Sequence, residues 1–431
     1  MKLHRQTHVR LRRGSVVGRR DFLRGISAAS LAAGTLGWHD LLTSQAADLQ
    51  NRGMACILLW MQGGPSQFET FSPKPRHANG GETKAISTSV PGIQIAEHLP
   101  NLAEVMDDVA IIRSMTSREG SHPRATSLLH TGYLPTASIK YPTFGSLVTQ
   151  QITNEACELP SFVRVGNPGR NRTSAGFLGV DYDAFAVTRS GQPPANSRLG
   201  VGENRFRRRL NLLDQLQTSG TDGQSDGYVQ DHLALYRKAS KMILSPQMEA
   251  FDISKESQQV RESYGEGNFA SGCLLARRLV ESGVTFVEVV LNGWDTHQDN
   301  FTRVKELGGQ IDQPMAQLIR DLKERGMLDS TLIIWMGEFG RTPKINARTG
   351  RDHFPRAFNV ALAGGGVRGG QVIGATNAAG DEVTDRPVGV TDLFQSFCKS
   401  LKIDADAENM SSVGRPITVV DGGEPVNELF S

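Results

Sequence analysis

The sequence predicts an α/β fold, namely a doubly wound, mostly parallel sheet with helices on both faces. Three observations support this prediction. Six apolar runs are continuous rather than alternating, which is typical of strands that are buried on both faces of a sheet. Helical patterns with one apolar face separate several of these runs. Two of these helical patterns end at a glycine just before the next strand, at Gly283 and Gly326, as in doubly wound sheets.

The strands are predicted where β-branched and other large apolar residues cluster between polar or glycine-rich turns. They are interpreted as central strands of the sheet because they show no polar face. In chain order they are MACILLWM (54–61), DVAIIRSM (108–115), SFVRVG (161–166), VTFVEVVL (284–291), TLIIWMG (331–337) and FNVALAGGG (358–366).

Helices are predicted between the strands from apolar residues at helical spacing. Residues 267–283 place four side chains on one face: Phe269, Cys273, Ala276 and Val280. Residues 313–326 repeat the arrangement, with Pro314 near the predicted start. Two further helices with polar faces are predicted at about 204–217 and 228–244.

The chain is predicted to be one domain, residues 47–431, preceded by an export signal at residues 1–46. An irregular insertion is expected at about 166–262. Its first part, residues 166–227, is rich in Gly, Asn, Arg and Pro, and we expect it to cover the ligand cleft.

The first residues form a charged segment, a short apolar run and a small-residue end, which together indicate a signal peptide. The pair Arg19-Arg20 followed by Phe22-Leu23 is typical of a twin-arginine signal. The chain is therefore predicted to use the twin-arginine export machinery and to be periplasmic or secreted. An alternative is that the segment remains attached as an anchor. The apolar run is too short for an integral membrane protein.

Charge and cysteine content exclude some classes of function. Residues 1–46 carry 8 Lys/Arg against 2 Asp, whereas the rest carries 39 Lys/Arg against 43 Asp/Glu. A mildly acidic body gives no reason to expect nucleic-acid binding. The four cysteines are scattered without CxxC spacing, so buried thiols are expected rather than a zinc ribbon.

Polar residues follow three of the predicted strands, in the motifs QGGPSQ, NGWDTH and GEFGRTP. In doubly wound folds ligands bind beyond the carboxyl ends of the strands, so these motifs are expected to share one cleft. The first loop adds Gln62 and Ser66 to the candidates. The loop after the second strand adds Ser121, His122 and Arg124.

A divalent metal site is predicted from Asp295, His297, Glu338 and His353. Mixed imidazole and carboxylate ligands suit zinc, manganese or iron better than calcium. Each residue has another interpretation. Asp295 is also a possible turn or helix cap, each histidine a possible interior residue, and Glu338 a possible ion-pair partner of Arg341.

Five segments resemble the exported domain-of-unknown-function 1501 family, which is abundant in planctomycete-type bacteria. The resemblance spans about residue 50 to the C-terminus. It also connects the chain to the alkaline phosphatase clan, which includes sulfatases. The segments are LLWMQGGPSQFETFSPKP, GVTFVEVVLNGWDTHQDN, TLIIWMGEFGRTPKIN, GRDHFP and RPVGVTDLFQSFCKSLKID.

The resemblance implies an alkaline phosphatase-like fold, and it also shows departures from the clan. Gln62 stands where the clan's first strand ends in a metal-binding Asp, and Phe339 where a second ligand would follow. His122 lies at or near the position of the clan's nucleophile, with Ser121 one residue before it. These departures imply a depleted second metal site and argue against the usual covalent mechanism.

The resulting hypothesis is a secreted metal-dependent hydrolase of sulfate or phosphate esters, with a small molecule or polysaccharide as substrate. Arg341 or Arg124 would neutralise the anionic group, and His122 would act as general acid or base. Ser121 or Ser66 would be the nucleophile if a covalent step exists. The alternative is a catalytically degenerate binding protein of the cell envelope. A third class, a structural protein without a site, predicts that His297 and His353 lie far apart.

Overall fold

The computed structural model describes residues 53–431, except 153, 155, 168, 170–172, 195–196, 198 and 220–226. It also describes a two-residue strand pair, Val9–Arg10 with Val16–Val17. The predicted signal peptide otherwise lies outside the described residues. Residues 52–431 form one compact unit. No described helix combines the length and the apolar character needed to cross a membrane.

All six predicted strands are present, within two residues of their predicted starts and three residues of their predicted ends. The described strands are β1 Ala55–Gln62, β2 Ala85–Ser87, β3 Gln94–Ala96, β4 Val109–Met115, β5 Phe162–Val165, β6 Phe185–Val187, β7 Phe286–Asn292, β8 Thr331–Met336, β9 Gly340–Arg341, β10 His353–Phe354, β11 Phe358–Ala363, β12 Gln371–Ile373, β13 Ala375–Thr376, β14 Val383–Asp385, β15 Glu408–Met410 and β16 Pro416–Thr418.

The described α-helices lie between the strands and in the insertion. They are α1 Pro100–Glu104, α2 His122–Thr131, α3 Phe144–Gln151, α4 Glu203–Ser219, α5 Gly227–Leu244, α6 Gln258–Ser263, α7 Asn268–Glu281, α8 Asn300–Glu324 and α9 Val390–Leu401. Helices α4, α5 and α6 belong to the region predicted as an irregular insertion, which therefore contains regular structure as well as loops.

The central sheet has eight strands in the order β12-β4-β11-β8-β1-β7-β5-β6. Seven of them run in one direction, and β11 is antiparallel to both of its neighbours, β8 and β4. The continuous apolar run of β11 was expected to indicate a strand of the parallel set. An antiparallel strand in the middle of a sheet is also buried on both faces, so it has the same apolar pattern.

Each face of the sheet carries a separate hydrophobic layer, as the doubly wound prediction requires. Alternate residues of β1 enter the two layers, with Ile57 and Leu59 on one side and Leu58 and Trp60 on the other. The first layer includes residues of α1, α7 and α8, and the second includes residues of α2, α3 and α9.

Helix α8 begins thirteen residues before the predicted start at residue 313, so Pro314 lies inside the helix rather than near its beginning. The apolar stripe continues backwards through Ile311, Leu307 and Val304, all of which are buried. A proline inside a helix removes the hydrogen bond to the carbonyl four residues earlier. That carbonyl belongs to Gln310, an exposed residue, so water can satisfy it.

A buried charge network links β5 and β7 beneath α2. Arg164 and Glu288 are paired across the two strands, and Nε of Arg164 donates to Oε2 of Glu288 at 2.8 Å. His130 of α2 lies 3.3 Å from the other carboxylate oxygen. Burial by itself raises the pKa of Glu288, but the charges and hydrogen bonds of Arg164 and His130 outweigh it and lower the pKa to about 2.

The pKa of Glu288 predicts an acid-sensitive contribution to stability. Because the pKa falls from 4.5 to about 2 on folding, the contribution is fully present above pH 4.5 and is lost as the pH falls towards 2. The difference in free energy of unfolding between the wild type and Glu288→Gln should therefore shrink between pH 5 and pH 2.5 in urea titrations. Glu324→Gln, at an exposed glutamate, is the control and should show no such trend. If the difference in free energy of unfolding between the wild type and Glu288→Gln stayed constant from pH 5 to pH 2.5, the prediction would be contradicted.

Candidate metal centre

The loops after β1, β4, β7 and β8 meet the loop before β11 at one edge of the sheet. The connections after β1 and β7 approach so closely that a Cβ on Gly63 would lie 2.4 Å from the backbone nitrogen of Asp295. Gly63 also has a φ of 115°, which favours glycine. The backbone N–H of Trp294 donates to the carbonyl of Gln62 at 3.2 Å. These contacts fix the position of Asp295 against the end of β1.

Three candidate ligand atoms converge at this edge. One atom each from His122, Asp295 and His353 lie within 4.8 Å of one another. Oδ1 of Asp295 is 3.3 Å from Nε2 of His122 and 3.3 Å from Nε2 of His353. Nε2 of His122 is buried and makes no hydrogen bond. The three side chains are 22–45% exposed, so they are accessible to solvent.

His297 adds a fourth donor next to this group. Its Nε2 lies 3.1 Å from Oδ1 of Asp295 and 3.0 Å from Nε2 of His353. His297 and His353 therefore lie side by side, which contradicts the structural-protein hypothesis that placed them far apart. Asp295 and His297 are separated by one buried residue, Thr296, and both of their side chains are partly exposed.

The second ring nitrogen of each histidine is held by an oxygen. Nδ1 of His122 lies 2.6 Å from Oε1 of Glu338, and Nδ1 of His297 lies 2.8 Å from Oδ1 of Asp352. Nδ1 of His353 lies 2.8 Å from the carbonyl oxygen of Gly120. Ionised carboxylates and carbonyls only accept hydrogen bonds, so each Nδ1 carries the proton. In the neutral rings the three Nε2 lone pairs then face one carboxylate oxygen.

Metal-binding histidines in proteins usually have this arrangement, in which an outer oxygen fixes the tautomer and the ring orientation. Lone pairs that face one another at about 3 Å repel unless a positive charge lies among them. Three imidazole nitrogens and one carboxylate oxygen form a donor set that suits zinc, manganese or iron. The residues therefore fit a divalent metal ion of that class.

The electrostatics of the group also favour a cation. Burial lowers the pKa of His122, but the close carboxylates of Asp295 and Glu338 outweigh it and raise the pKa to about 9. Burial raises the pKa of Asp295, but the close nitrogens of His122, His353 and Arg341 outweigh it and lower the pKa well below its usual range. The surroundings of Nε2 of His122 therefore stabilise positive charge, which either a proton or a metal ion supplies.

Arg341 is a support for Asp295. Its side chain is fully buried, and Nη2 lies 2.7 Å from Oδ1 of Asp295. The same guanidinium donates to the carbonyls of Gly63, Gly64 and Arg351. It was predicted to neutralise the anionic group of a substrate. In the structure, the side chain has no exposed surface with which to meet a substrate.

Glu338 lies behind His122 rather than among the converging atoms. Its side chain is fully buried, and its two oxygens lie 3.0 and 3.2 Å from the backbone nitrogen of Gly63. Nε2 of Gln62 lies 3.4 Å from Oε1. The predicted alternative, an ion pair of Glu338 with Arg341, is not what the structure shows, because Arg341 pairs with Asp295.

The position of Glu338 predicts a measurable effect on metal affinity. Glu338→Gln keeps the size of the side chain but removes the charge that holds Nδ1 of His122. The dissociation constant for zinc should rise about 10- to 100-fold, the usual result of losing an outer partner of a ligand. A competition titration with a chromophoric chelator measures it. Glu82→Gln, at an exposed glutamate, is the control. An unchanged constant would show that Glu338 has no such role.

The other catalytic candidates are less favourably placed. Arg124 is half exposed and uses two nitrogens on Glu119, at 2.9 and 2.7 Å. Ser66 is fully buried, so its hydroxyl cannot reach a substrate. Ser121 is exposed and directly precedes helix α2, without a side-chain capping bond.

Sequence reasoning missed two features of this site. The sequence hypothesis gave His122 an acid–base role and did not include it among the metal ligands. The strand DVAIIRSM is followed by a helix start at Pro123, and this order predicts that His122 lies at the same sheet edge as Asp295. The partner of Arg341 gave no sequence signal, since Arg341 and Asp295 are 46 residues apart.

Solved structures with a related chain trace include members of the alkaline phosphatase superfamily. A sulfatase from Pseudoalteromonas sp. is 14% identical, with a TM-score of 0.40, and 85% of this chain and 71% of that chain are covered. A protein in the alkaline phosphatase superfamily from Vibrio parahaemolyticus is 13% identical, with a TM-score of 0.39 and coverages of 82% and 67%. The phosphonate monoester hydrolase of Agrobacterium radiobacter is 11% identical, with a TM-score of 0.38 and coverages of 88% and 75%.

The search of curated proteins found no match to this chain. A family model, described as protein of unknown function (DUF1501), matches residues 54–430. This range contains the whole central sheet and every residue of the candidate metal centre. The chain therefore belongs to the DUF1501 family.

Proposed function

We propose that this chain is a metal-dependent hydrolase of sulfate or phosphate esters that acts after twin-arginine export. The single observation that supports it most is the group of three histidine Nε2 atoms around Oδ1 of Asp295, each ring fixed by an oxygen at Nδ1. The ester class rests on the resemblance of the motifs around Asp295, Glu338 and His353 to the alkaline phosphatase clan.

The proposed roles follow from the contacts. Asp295, His297, His353 and His122 would hold the metal, which would supply Lewis-acid polarisation of the ester and a lowered pKa of water. Glu338 and Asp352 keep the proton on Nδ1 of His122 and of His297. Arg341 keeps Asp295 ionised and in place. His122 is thus assigned to holding the ion rather than to moving a proton.

Hydrolysis assays on the protein purified without metal and then loaded with zinc, manganese or iron test this proposal. The substrates are 4-nitrophenyl sulfate and 4-nitrophenyl phosphate, with 4-nitrophenyl acetate as a control for nonspecific esterase activity. We expect metal-dependent release of nitrophenol from one of the first two, lost in His353→Ala. The variant Asp406→Asn, at an exposed aspartate elsewhere, should behave as the wild type. Metal binding without any hydrolysis would refute the hydrolase.

A second candidate is a metal-containing binding protein without catalysis. It is favoured by the state of the polar residues near the site. The guanidinium groups of Arg341 and Arg124 are engaged by other residues, and Ser66 is buried. This candidate predicts metal-dependent binding of a sulfated oligosaccharide with no turnover, which equilibrium dialysis followed by product analysis would detect.

A further inference from the structure

Helix α4 carries a concentration of positive charge in its first half. Four arginines lie within five residues, at positions 205, 207, 208 and 209, and all four are exposed. The whole helix has two acidic residues, Glu203 and Asp214. The chain after residue 46, by contrast, carries 39 Lys/Arg against 43 Asp/Glu. The arginines of α4 therefore form a local basic surface on a mildly acidic body.

Three of these arginines lie on one side of the helix. Arg205, Arg208 and Arg209 have i, i+3 and i+4 spacing, which makes side chains neighbours on a helix surface, with about 5–6 Å between Cβ atoms. Leu212, three residues after Arg209 and four after Arg208, extends the same side and is exposed. We call these four residues the arginine face. Their proximity follows from the geometry of the helix itself.

Arg207 differs from them in position and in pairing. At about 3.6 residues per turn, it lies about 160° around the helix from Arg205 and from Arg209. Its Nη2 lies 2.7 Å from Oε1 of Glu203, in an i, i+4 ion pair. Among the residues that the structure describes, no ion pair involves Arg205, Arg208 or Arg209. The arginine face therefore presents to solvent a positive charge that these residues do not balance.

The apolar side of α4 indicates which kind of polyanion fits. Phe206, Leu210 and Leu213, at i, i+4 and i+7, are half-buried and lie about a third of a turn from the arginine face. A helix that binds a membrane surface buries its apolar side in the lipid. Here that side is already partly covered, and the arginine face carries a single apolar side chain, Leu212. The arrangement therefore favours a water-soluble polyanion over a lipid surface.

We propose that the arginine face of α4 binds a sulfated polysaccharide. Guanidinium groups bind tetrahedral oxyanions with parallel, charge-assisted hydrogen bonds. The three arginines are spread over about 6 Å of helix axis, so they suit a polymer with several anionic groups. A single exposed ion pair is worth little in water, whereas several along one polymer add together. The choice of sulfate rests on the proposed hydrolase, whereas the choice of a polyanion rests on α4 alone.

Isothermal titration of dextran sulfate into the full-length Asp295→Ala protein tests this surface without the candidate metal centre. Arg208→Gln is compared with Arg207→Gln, the same substitution one residue away. Both variants lose one positive charge and keep a good helix former, so a difference between them reports the position of the charge. We expect the dissociation constant to rise about threefold in Arg208→Gln and to stay unchanged in Arg207→Gln. Equal dissociation constants in the two variants would overturn the proposal.

The salt dependence of the same titration counts the arginines that meet the polymer. The logarithm of the binding constant falls linearly with the logarithm of salt concentration, by about 0.7–0.9 for each cation that displaces a counterion. The basic residues of the segment 1–46 contribute equally to every variant. The slope should therefore be smaller by about 0.7–0.9 in Arg208→Gln, and unchanged in Arg207→Gln. An equal slope in the two variants would contradict a contact through Arg208.

Two further probes decide the kind of partner. Neutral dextran should not bind, because it lacks the sulfate groups. Vesicles of phosphatidylglycerol that bind through Arg208, with no such effect on dextran sulfate, would overturn the proposal in favour of a membrane surface. Turnover plays no part in these titrations. Binding of dextran sulfate through Arg208 by a protein that hydrolyses no ester would therefore support this inference and refute only the hydrolase.

Discussion

The replacement Asp295→Ala is expected to abolish divalent-metal binding at the candidate metal centre. Oδ1 of Asp295 is the atom around which three histidine nitrogens are arranged, at 3.1–3.3 Å. Without it the histidines have no anionic partner at the centre, and Arg341 loses the carboxylate that balances its buried charge. Elemental analysis after dialysis should show about one equivalent of metal in the wild type and less than about a tenth in the variant.

Two comparisons make this result specific. Asp406→Ala, at an exposed aspartate, should keep the metal content of the wild type. Circular dichroism of Asp295→Ala should retain the wild-type spectrum, since the residue is half exposed and lies outside the hydrophobic layers. Equal metal content in wild type and variant would place the ion elsewhere, or show that none binds.

Breaking the ion pair between Arg351 and Glu69 is expected to produce the largest loss of stability. Both side chains are fully buried, and Nη2 of Arg351 lies 2.7 Å from Oε1 of Glu69. Arg351 also donates to the carbonyls of Thr342, Pro343 and Asn79. The variant Arg351→Met leaves a buried carboxylate and these acceptors unpaired. The free energy of unfolding should fall by about 3–5 kcal/mol, measured by urea titration at pH 7.

A double-mutant cycle identifies the cause of that loss. Glu69→Leu in the Arg351→Met background removes the unpaired charge as well, so the double variant should be more stable than Arg351→Met alone. Arg368→Met, at an arginine with an exposed contact to the carbonyl of Ser431, is the control for removing a surface guanidinium. A loss below about 1 kcal/mol for Arg351→Met would show that the pair is not what fixes this loop.

The loop held by Arg351 carries Asp352 and His353 to the candidate metal centre. The sequence motif GRDHFP predicted polar ligands just before β11, the last of the six predicted strands. If β11 were parallel to its neighbours, residues before it would lie at the opposite edge of the sheet from residues that follow the other strands. The antiparallel direction of β11 brings His353 to the same edge as Asp295. A signal for this direction exists, because residues 337–357 contain no helical pattern and a parallel crossover usually contains a helix.

The roles of individual site residues were less predictable than their location. Asp295, His297, His353 and His122 were all candidates from sequence, and the structure brings the four together. Glu338 and Arg341 were candidates too, yet one lies behind His122 and the other behind Asp295. A sequence gives the type and the order of donors, whereas the distinction between a ligand and its support depends on a few ångströms of position.

The sequence by itself determined six of the eight strands of the central sheet, the helices α7 and α8 apart from the start of α8, and the sheet edge where polar residues gather. These features follow from local periodicity and from turn residues, which act over a few neighbours in the chain. Only the tertiary structure decided the direction of β11, the pairing of Arg341 with Asp295 and the convergence of three Nε2 atoms on one oxygen. Apart from the contact between the near neighbours Asp295 and His297, these features depend on residues tens to hundreds of positions apart. The direction of β11 could not be predicted from its side-chain period, because that period is the same in either direction.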